Sequence, residues 1–358
     1  MARRSPARSS RHAVIRTSAI LTLALALAAC GGTAEEAAPE PAPAEEPAPA
    51  EEPAAPEEPA IRVALVLPGP INDRGFNQSA YEALAVLESE LGAETAFSES
   101  TPVPDFETAF RDYASQGFDV VIGQGFQFGE IAQAVAPDFP DVMFLATNNP
   151  AVEGDNAKGL MPQSWHSAYI AGAAAALASE SGRIGGIAGM AFPAIVAQMN
   201  AFRDGALAAR PDVDVAIVFL GDQKNVERGQ EGALAMIQDG RDVLYHIADN
   251  AGLGVIQAAS DEGIFVIGWG KDQTDVAADA VMASHIVDQT AMIVDAVTRI
   301  VGGERSGETT FYGLDTAVTG LTAISSIVPN AAEVQAAVDA LSASIVSGEL
   351  KIAYNSSS

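Results

Sequence analysis

From residue 61 onward, two hydrophobic patterns alternate along the chain: short unbroken apolar runs, and stretches whose apolar positions recur at helical spacing. The first run, 61–67, ends in Pro68-Gly69-Pro70. A polar loop from Asn72 to Asn77 follows, and then a helical pattern with Tyr81 and Leu84 inward. The same β-loop-α unit then recurs. Strands are predicted at 93–99, 119–123, 142–147 and 157–161, with helices at 106–116 and 128–136 between them. A helix of small residues at 167–181 leads into a second series, with strands at 183–189, 215–221, 242–248 and 264–269. Its helices fall at 195–209, 226–238 and 253–262, and Gly182, Gly240 and Gly263 stand where helix C-caps belong. The strands are apolar runs rather than strict alternations, as parallel sheets covered on both faces require. Two doubly wound lobes follow from this rhythm. After residue 280 it breaks into a strand at 281–287, a long helix at 289–301, a strand at 310–314 and a closing amphipathic helix at 330–346. A return of the chain to the first lobe and back again accounts for these pieces.

The segment before residue 61 has a different character. Arg3, Arg4, Arg8, Arg11 and Arg16 precede a short apolar stretch at 19–29 that ends in Leu27-Ala28-Ala29-Cys30. This is the layout of a secretory signal, too short for a transmembrane helix. Leu-Ala-Ala-Cys resembles a bacterial lipobox, so Cys30 is the expected site of lipid attachment and the mature N-terminus. Residues 31–60 are almost wholly Ala, Glu and Pro, with nothing larger than Ala to bury, and read as an extended, disordered tether.

With 358 residues and 48% hydrophobic content, the chain can fill two cores. A formal charge of −28 argues against nucleic acid or an anionic membrane surface as partner. Setting aside the five signal arginines and nine tether glutamates leaves −24 on the remainder, which holds only four lysines. A GC-rich genome and a saline habitat both account for that balance. Cys30 is the only cysteine, so there is no disulfide framework and no thiolate metal cluster. His166, His246 and His285 show no metal-ligand spacing. Core or cleft roles are expected of them, with His166 and His285 as candidate cleft donors.

Several separate pieces, in order, resemble the basic membrane protein family, the purine-nucleoside-receptor-like lipoproteins of ABC importers. They are Asp73–Ser79 (DRGFNQS), the 105–113 helix leading to Asp119–Phe126 (DVVIGQGF), Ala168–Gly172 (AYIAG), Gly182–Gly189 (GRIGGIAG), Gly252–Val255 (GLGV) and Val266–Gln273 (VIGWGKDQ). The match spans roughly 61–328. The resemblance implies a type I periplasmic binding protein: two flavodoxin-like, Rossmann-like lobes with parallel sheets, joined by a three-strand hinge and closing on ligand. Residues 1–30 would be the lipoprotein signal and 31–60 the tether. Residues 61–162 and 285–312 would form the first lobe, and 163–284 and 313–352 the second.

The resemblance also implies a ligand site at the carboxyl ends of the strands. In the first lobe it includes Asp73, Phe76, Asn77, Phe126, Phe128 and Asn148; in the second, Phe192, Asp249, Trp269, Lys271 and Asp272. Several also have a plain structural reading: Asp73, Asn77 and Asp249 as helix caps, Phe76 and Phe192 as core, and, of Phe126 and Phe128, one lining the cleft and the other in the core. Asn148 stands where many family members carry Asp. Nucleoside-binding members place an aspartate and a lysine, both directed at ribose, where this chain has Gly270 and Val287. A free nucleobase or another planar molecule is therefore expected as readily as a nucleoside, since buried hydroxyls without partners bind poorly.

The expected protein is a monomeric, lipid-anchored receptor on the outer side of a cell membrane, facing the periplasm or the exterior and serving an ABC permease. No cofactor, metal or nucleic acid is expected. No nucleophile elbow, phosphate loop or spaced carboxylate pair points to an enzyme. The alternatives are a ligand-sensing receptor for a membrane signalling partner, and a binder of some non-nucleoside solute.

Overall fold

The computed structural model describes residues 61–73 and 75–357. The signal-like segment with Cys30, the 31–60 tether, Arg74 and Ser358 lie outside the described residues. In chain order the first elements are β1 (Arg62–Val66), α1 (Phe76–Leu91), β2 (Glu94–Ser98), α2 (Phe106–Ser115) and β3 (Val120–Gly123). Then come α3 (Gly129–Val135), β4 (Met143–Thr147) and β5 (Ala157–Pro162). The second series is α4 (Ser164–Ala178), β6 (Arg183–Ala188), α5 (Pro193–Ala209), β7 (Asp214–Phe219), α6 (Val226–Gln238), β8 (Val243–Ile247), α7 (Asp249–Glu262) and β9 (Phe265–Gly270). The chain closes with β10 (Val281–Val287), α8 (Gln289–Val301), β11 (Thr310–Tyr312), β12 (Thr319–Leu321) and α9 (Ala331–Val346).

These strands form two six-stranded sheets, ordered β2-β1-β3-β4-β5-β11 and β7-β6-β8-β9-β10-β12. Among the described residues only β12 runs antiparallel, against β10. Both sheets share the order of a flavodoxin-like fold, whose ligand crevice lies outside the carboxyl ends of the strands. Each sheet is covered on both faces, which is why its strands read as unbroken apolar runs. On the first sheet, Val63, Leu65, Val120, Ile122 and Leu145 pack with Leu84, Leu87, Ile293 and Val297 of α1 and α8. The other face buries Ala64, Val66, Val121 and Phe144 with Phe106, Phe110 and Ala132 of α2 and α3. In the second sheet, Ile184, Tyr245 and Ile267 pack with α4, α5 and α9, while Ile187, Leu244 and Val266 pack with α6 and α7.

The chain passes between sheets three times, after Pro162, after Val287 and between Tyr312 and Thr319. The second crossing comes later than the expected boundary at 284/285. Ser284 and His285 are still paired with Gly268 and Trp269, and Val287 with Thr319. The crossing is marked instead by Asp288, whose side chain accepts the Ala291 N–H at 2.9 Å and caps α8. The small-residue helix also starts earlier than its sequence suggests, at Ser164, because the chain turns directly out of β5. The Gln163 N–H bonds Tyr312 O at 2.8 Å there. β12 has no counterpart in the sequence reading.

The composition of α4 has a packing cause. A Cβ on Gly172 would lie 1.9 Å from Phe202 O, and one on Gly205 of α5 would lie 1.9 Å from Tyr169 O. The two helices therefore touch backbone to backbone. Gly205→Ala must push them apart and is expected to cost about 1–2 kcal/mol in urea unfolding, despite its gain in helix propensity. An unchanged midpoint would contradict this close approach.

Candidate functional site

The carboxyl ends of the two sheets face each other, and side chains from both lobes meet there. Phe126 of the first lobe and Phe192 of the second, 41% and 37% exposed, bring their rings to 5.5 Å at 51°. Lys271, just after β9, reaches Glu82 of α1, with Nζ 2.6 Å from Oε2. Asp249, at the start of α7, faces the β1–α1 loop, its Oδ1 lying 3.5 Å from where a Gly75 Cβ would stand.

In the β1–α1 loop the Asp73 carboxylate is fully engaged. Oδ1 accepts the N–H groups of Gly75 and Gln78, both at 3.0 Å. Oδ2 accepts the Asn77 N–H at 2.9 Å and the Asn77 amide at 2.7 Å. A carboxylate offers about four acceptor positions, so Asp73 holds the open N-terminus of α1 and has no further acceptor capacity. Asn77 is 9% exposed, and its Oδ1 meets no donor among the described residues. Phe76 opens α1 half-buried, and its carbonyl accepts from Gln124 Nε2 at 3.0 Å.

A neutral network joins β3, β4 and the second crossover. Thr147 Oγ1 donates to Gln124 Oε1 at 2.9 Å and accepts the Gly125 N–H at 2.9 Å. The Asn148 amide reaches Thr147 Oγ1 at 3.2 Å and Gln289 Oε1 at 3.3 Å. Asn148 adopts φ 55°, a conformation that Asn tolerates better than most residues. Gln289, only 2% exposed, makes α8 part of this wall.

In the second lobe, Gln273 is a hub. Its Oε1 accepts the Trp269 N–H at 2.9 Å and lies 2.9 Å from His246 Nε2, and its own N–H reaches Ser284 Oγ at 3.0 Å. His246 therefore carries its proton on Nε2, and burial lowers its pKa to about 4. The Trp269 indole donates to Gln198 Oε1 of α5 at 3.1 Å, so the ring lies along its own lobe. Asp249 combines φ 43° with partial burial. Burial first, and then the charge of Asp73, push its carboxyl up to about 7.

Two expectations, those for Phe128 and His285, need correction. Phe128 is fully buried and stacks on Phe106 at 4.1 Å, inside the core rather than on the cleft. Asp272 turns to its own loop, accepting the Thr274 N–H at 3.0 Å and its hydroxyl at 2.6 Å. Lys271 is paired with Glu82 across the cleft. His285 is fully buried, 2.6 Å from the Tyr245 hydroxyl, and does not face the cleft. Glu82, Gln124, Gln273 and Gln289 escaped the sequence reading. A hollow of about 580 Å³ between the β4–β5 and α8–β11 loops contains none of the cleft residues. Among the described residues no cluster of His, Cys, Asp and Glu is arranged to hold a metal ion, and no helix is long and apolar enough to cross a membrane.

Two parallel-sheet lobes, three crossovers and facing carboxyl ends define a two-lobe solute-binding protein. Residues 60–356 match the family described as ABC transporter substrate-binding protein PnrA-like, and the chain belongs to that family. It is a family of substrate-binding proteins rather than enzymes, working with a small-molecule ligand and a permease. Basic membrane protein A of Borreliella afzelii is 26% identical over 305 residues, covering 83% of this chain and 93% of that protein. The ABC transporter nucleoside-binding protein BmpA of Lactococcus lactis is 30% identical over 215 residues, covering 57% of this chain and 61% of that protein. A solute-binding protein structure from Conexibacter woesei aligns with a TM-score of 0.68 at 27% identity, covering 82% of this chain and 99% of that one.

Proposed function

We propose that the protein is the lipid-anchored, extracytoplasmic receptor of an ABC importer and that it closes on a neutral planar heterocycle, a purine nucleobase or nucleoside. The observation that carries this reading is the pair of half-exposed rings, Phe126 and Phe192, one from each lobe. Aromatic faces suit flat heterocycles, and the neighbouring Asn148–Gln289 amides offer donors and acceptors without net charge. The nucleoside-binding relative from Lactococcus lactis supports the same class. Features near Gly270 and Val287 favour the base over the sugar. Gly270 sits at φ 94° with open space around it, Val287 is buried at 4% exposure in β10, and Lys271 is engaged by Glu82. Gly270 and Val287 supply no partners for ribose hydroxyls, and Lys271 is drawn towards Glu82. The Leu-Ala-Ala-Cys30 segment supports the lipid anchor.

The test is mass spectrometry of the small molecule released from purified, undialysed protein, followed by calorimetric titration with adenosine, guanosine, inosine, adenine, guanine and hypoxanthine. A nucleobase is expected to bind at least as tightly as its nucleoside. Binding of none of the six would overturn the substrate class. Loss of radiolabelled palmitate incorporation in Cys30→Ala is the expected outcome for the anchor.

A further inference from the structure

The ion pair between Lys271 and Glu82 joins residues 189 positions apart and on opposite lobes. Lys271 belongs to the turn after β9, in the second lobe, and Glu82 to α1, in the first. Nζ and Oε2 lie 2.6 Å apart, and Gln78 holds the other carboxylate oxygen at 2.9 Å from one helical turn away. Glu82 is thus oriented before Lys271 arrives. Partial burial would raise the Glu82 carboxyl, but the hydrogen bonds from Lys271 and Gln78 outweigh it, so its pKa falls below the ordinary value. Both side chains are about two-fifths exposed, so the pair stands at the rim of the cleft, where dissolved salt reaches it. We propose that Lys271 and Glu82 form a closure latch: an ion pair made only when the lobes come together, which positions them without touching ligand.

The pair differs from an ordinary surface ion pair in what it spans. The Lys158–Glu304 and Arg62–Glu94 pairs each lie within one lobe and survive opening. Lys271–Glu82 cannot, because its two ends move with different lobes. An exposed pair shifts an equilibrium by a factor of about two to five. In a hinge whose open and closed states differ by only a few kcal/mol, such a factor changes the fraction closed before ligand arrives. Ligand binding draws on that fraction, so the latch raises apparent affinity for any occupant, charged or neutral. Binding of an uncharged molecule would then weaken as salt rises.

The test needs no ligand and is therefore separate from the substrate class. Spin labels at Glu90→Cys on α1 and Asp261→Cys on α7, in the full chain carrying Cys30→Ser, report the distance between the lobes by double electron–electron resonance. Wild type is expected to show a short-distance population. Glu82→Gln and Lys271→Met each lower the closed-to-open ratio about two- to five-fold, and the two together lower it no further than either alone. The exchanged pair, Glu82→Lys with Lys271→Glu, restores it, an outcome that a merely structural role for either residue would not produce. Raising sodium chloride from about 50 mM to about 500 mM lowers the ratio in wild type but not in Glu82→Gln. Equal ratios in wild type and single variants overturn the latch. So does an exchanged pair no better than the singles, or a wild type with no short-distance population.

Discussion

Phe128→Ala is expected to destabilise the protein by about 3–5 kcal/mol, the usual effect of removing a buried aromatic side chain. Phe126→Ala, two residues away, should change stability by no more than about 0.5 kcal/mol while weakening heterocycle binding. The contrast rests on where each ring lies. Phe128 is sealed against Phe106 at 4.1 Å and Phe110 at 5.5 Å. It also covers Gly123 so closely that a Cβ there would lie 2.2 Å from its ring. Phe126 faces Phe192 at the cleft and is 41% exposed. Urea denaturation and calorimetric titration with guanine and guanosine, run on both variants, separate the two roles. A stable Phe128→Ala protein that had lost binding would place Phe128 in the site after all.

The second large effect depends on pH. An unfolded aspartate loses its proton near pH 3.9, whereas Asp249 holds its proton up to about 7 in the fold. Below about pH 4 both states are protonated, and the residue has no influence on stability. Between about pH 4 and 7 the unfolded chain ionises first, so folded stability falls; above about 7 the penalty is complete and constant. Asp249→Asn keeps the shape, and Asn accepts positive φ as readily, so only the charge is lost. A shift of this size corresponds to about 4 kcal/mol for a wholly buried group. The carboxyl is partly exposed, and lobe opening hydrates it, which reduces the expectation to about 2–3 kcal/mol. The variant should therefore melt about 5 °C above wild type at pH 8 and level with it near pH 4. Equal melting temperatures at pH 8 would mean that water, rather than Asp73, faces this carboxyl.

Much of the fold was legible because the strands are long apolar runs separated by helical periodicity and turn residues. Gly263 caps α7 at φ 67°, as its place after the last periodic residue suggested. β12 was not legible: three residues, Thr319, Gly320 and Leu321, carry no pattern of their own and become a strand only because β10 offers them an edge. The site was readable by position and not by partner. Asp73 stands where expected, but its saturation by four donors in the α1 turn depends on loop geometry that spacing does not determine. Phe126 and Phe128 look alike in sequence. A 3-10 turn over Phe126–Phe128 sends them to opposite surroundings. Lys271 could not be matched with Glu82 across 189 residues, since pairing at that range exists only in the assembled lobes.

Neither lobe is a continuous piece of chain. The first sheet is covered on one side by α1 together with α8, whose Met292, Ile293, Ala296 and Val297 are fully or nearly fully buried against it. A growing chain emerging from the ribosome would present β1 to β5 with that surface bare until the whole of β6 to β10 had been made, an interval on the order of ten seconds. The second lobe waits in turn for β12 and α9, which follow α8. Each half is completed by the last part synthesised, so a ribosome that stalls before α8 leaves two incomplete sheets instead of one finished lobe. Folding on this topology is thus a late and nearly simultaneous event, and the nascent protein depends until then on being kept from its neighbours.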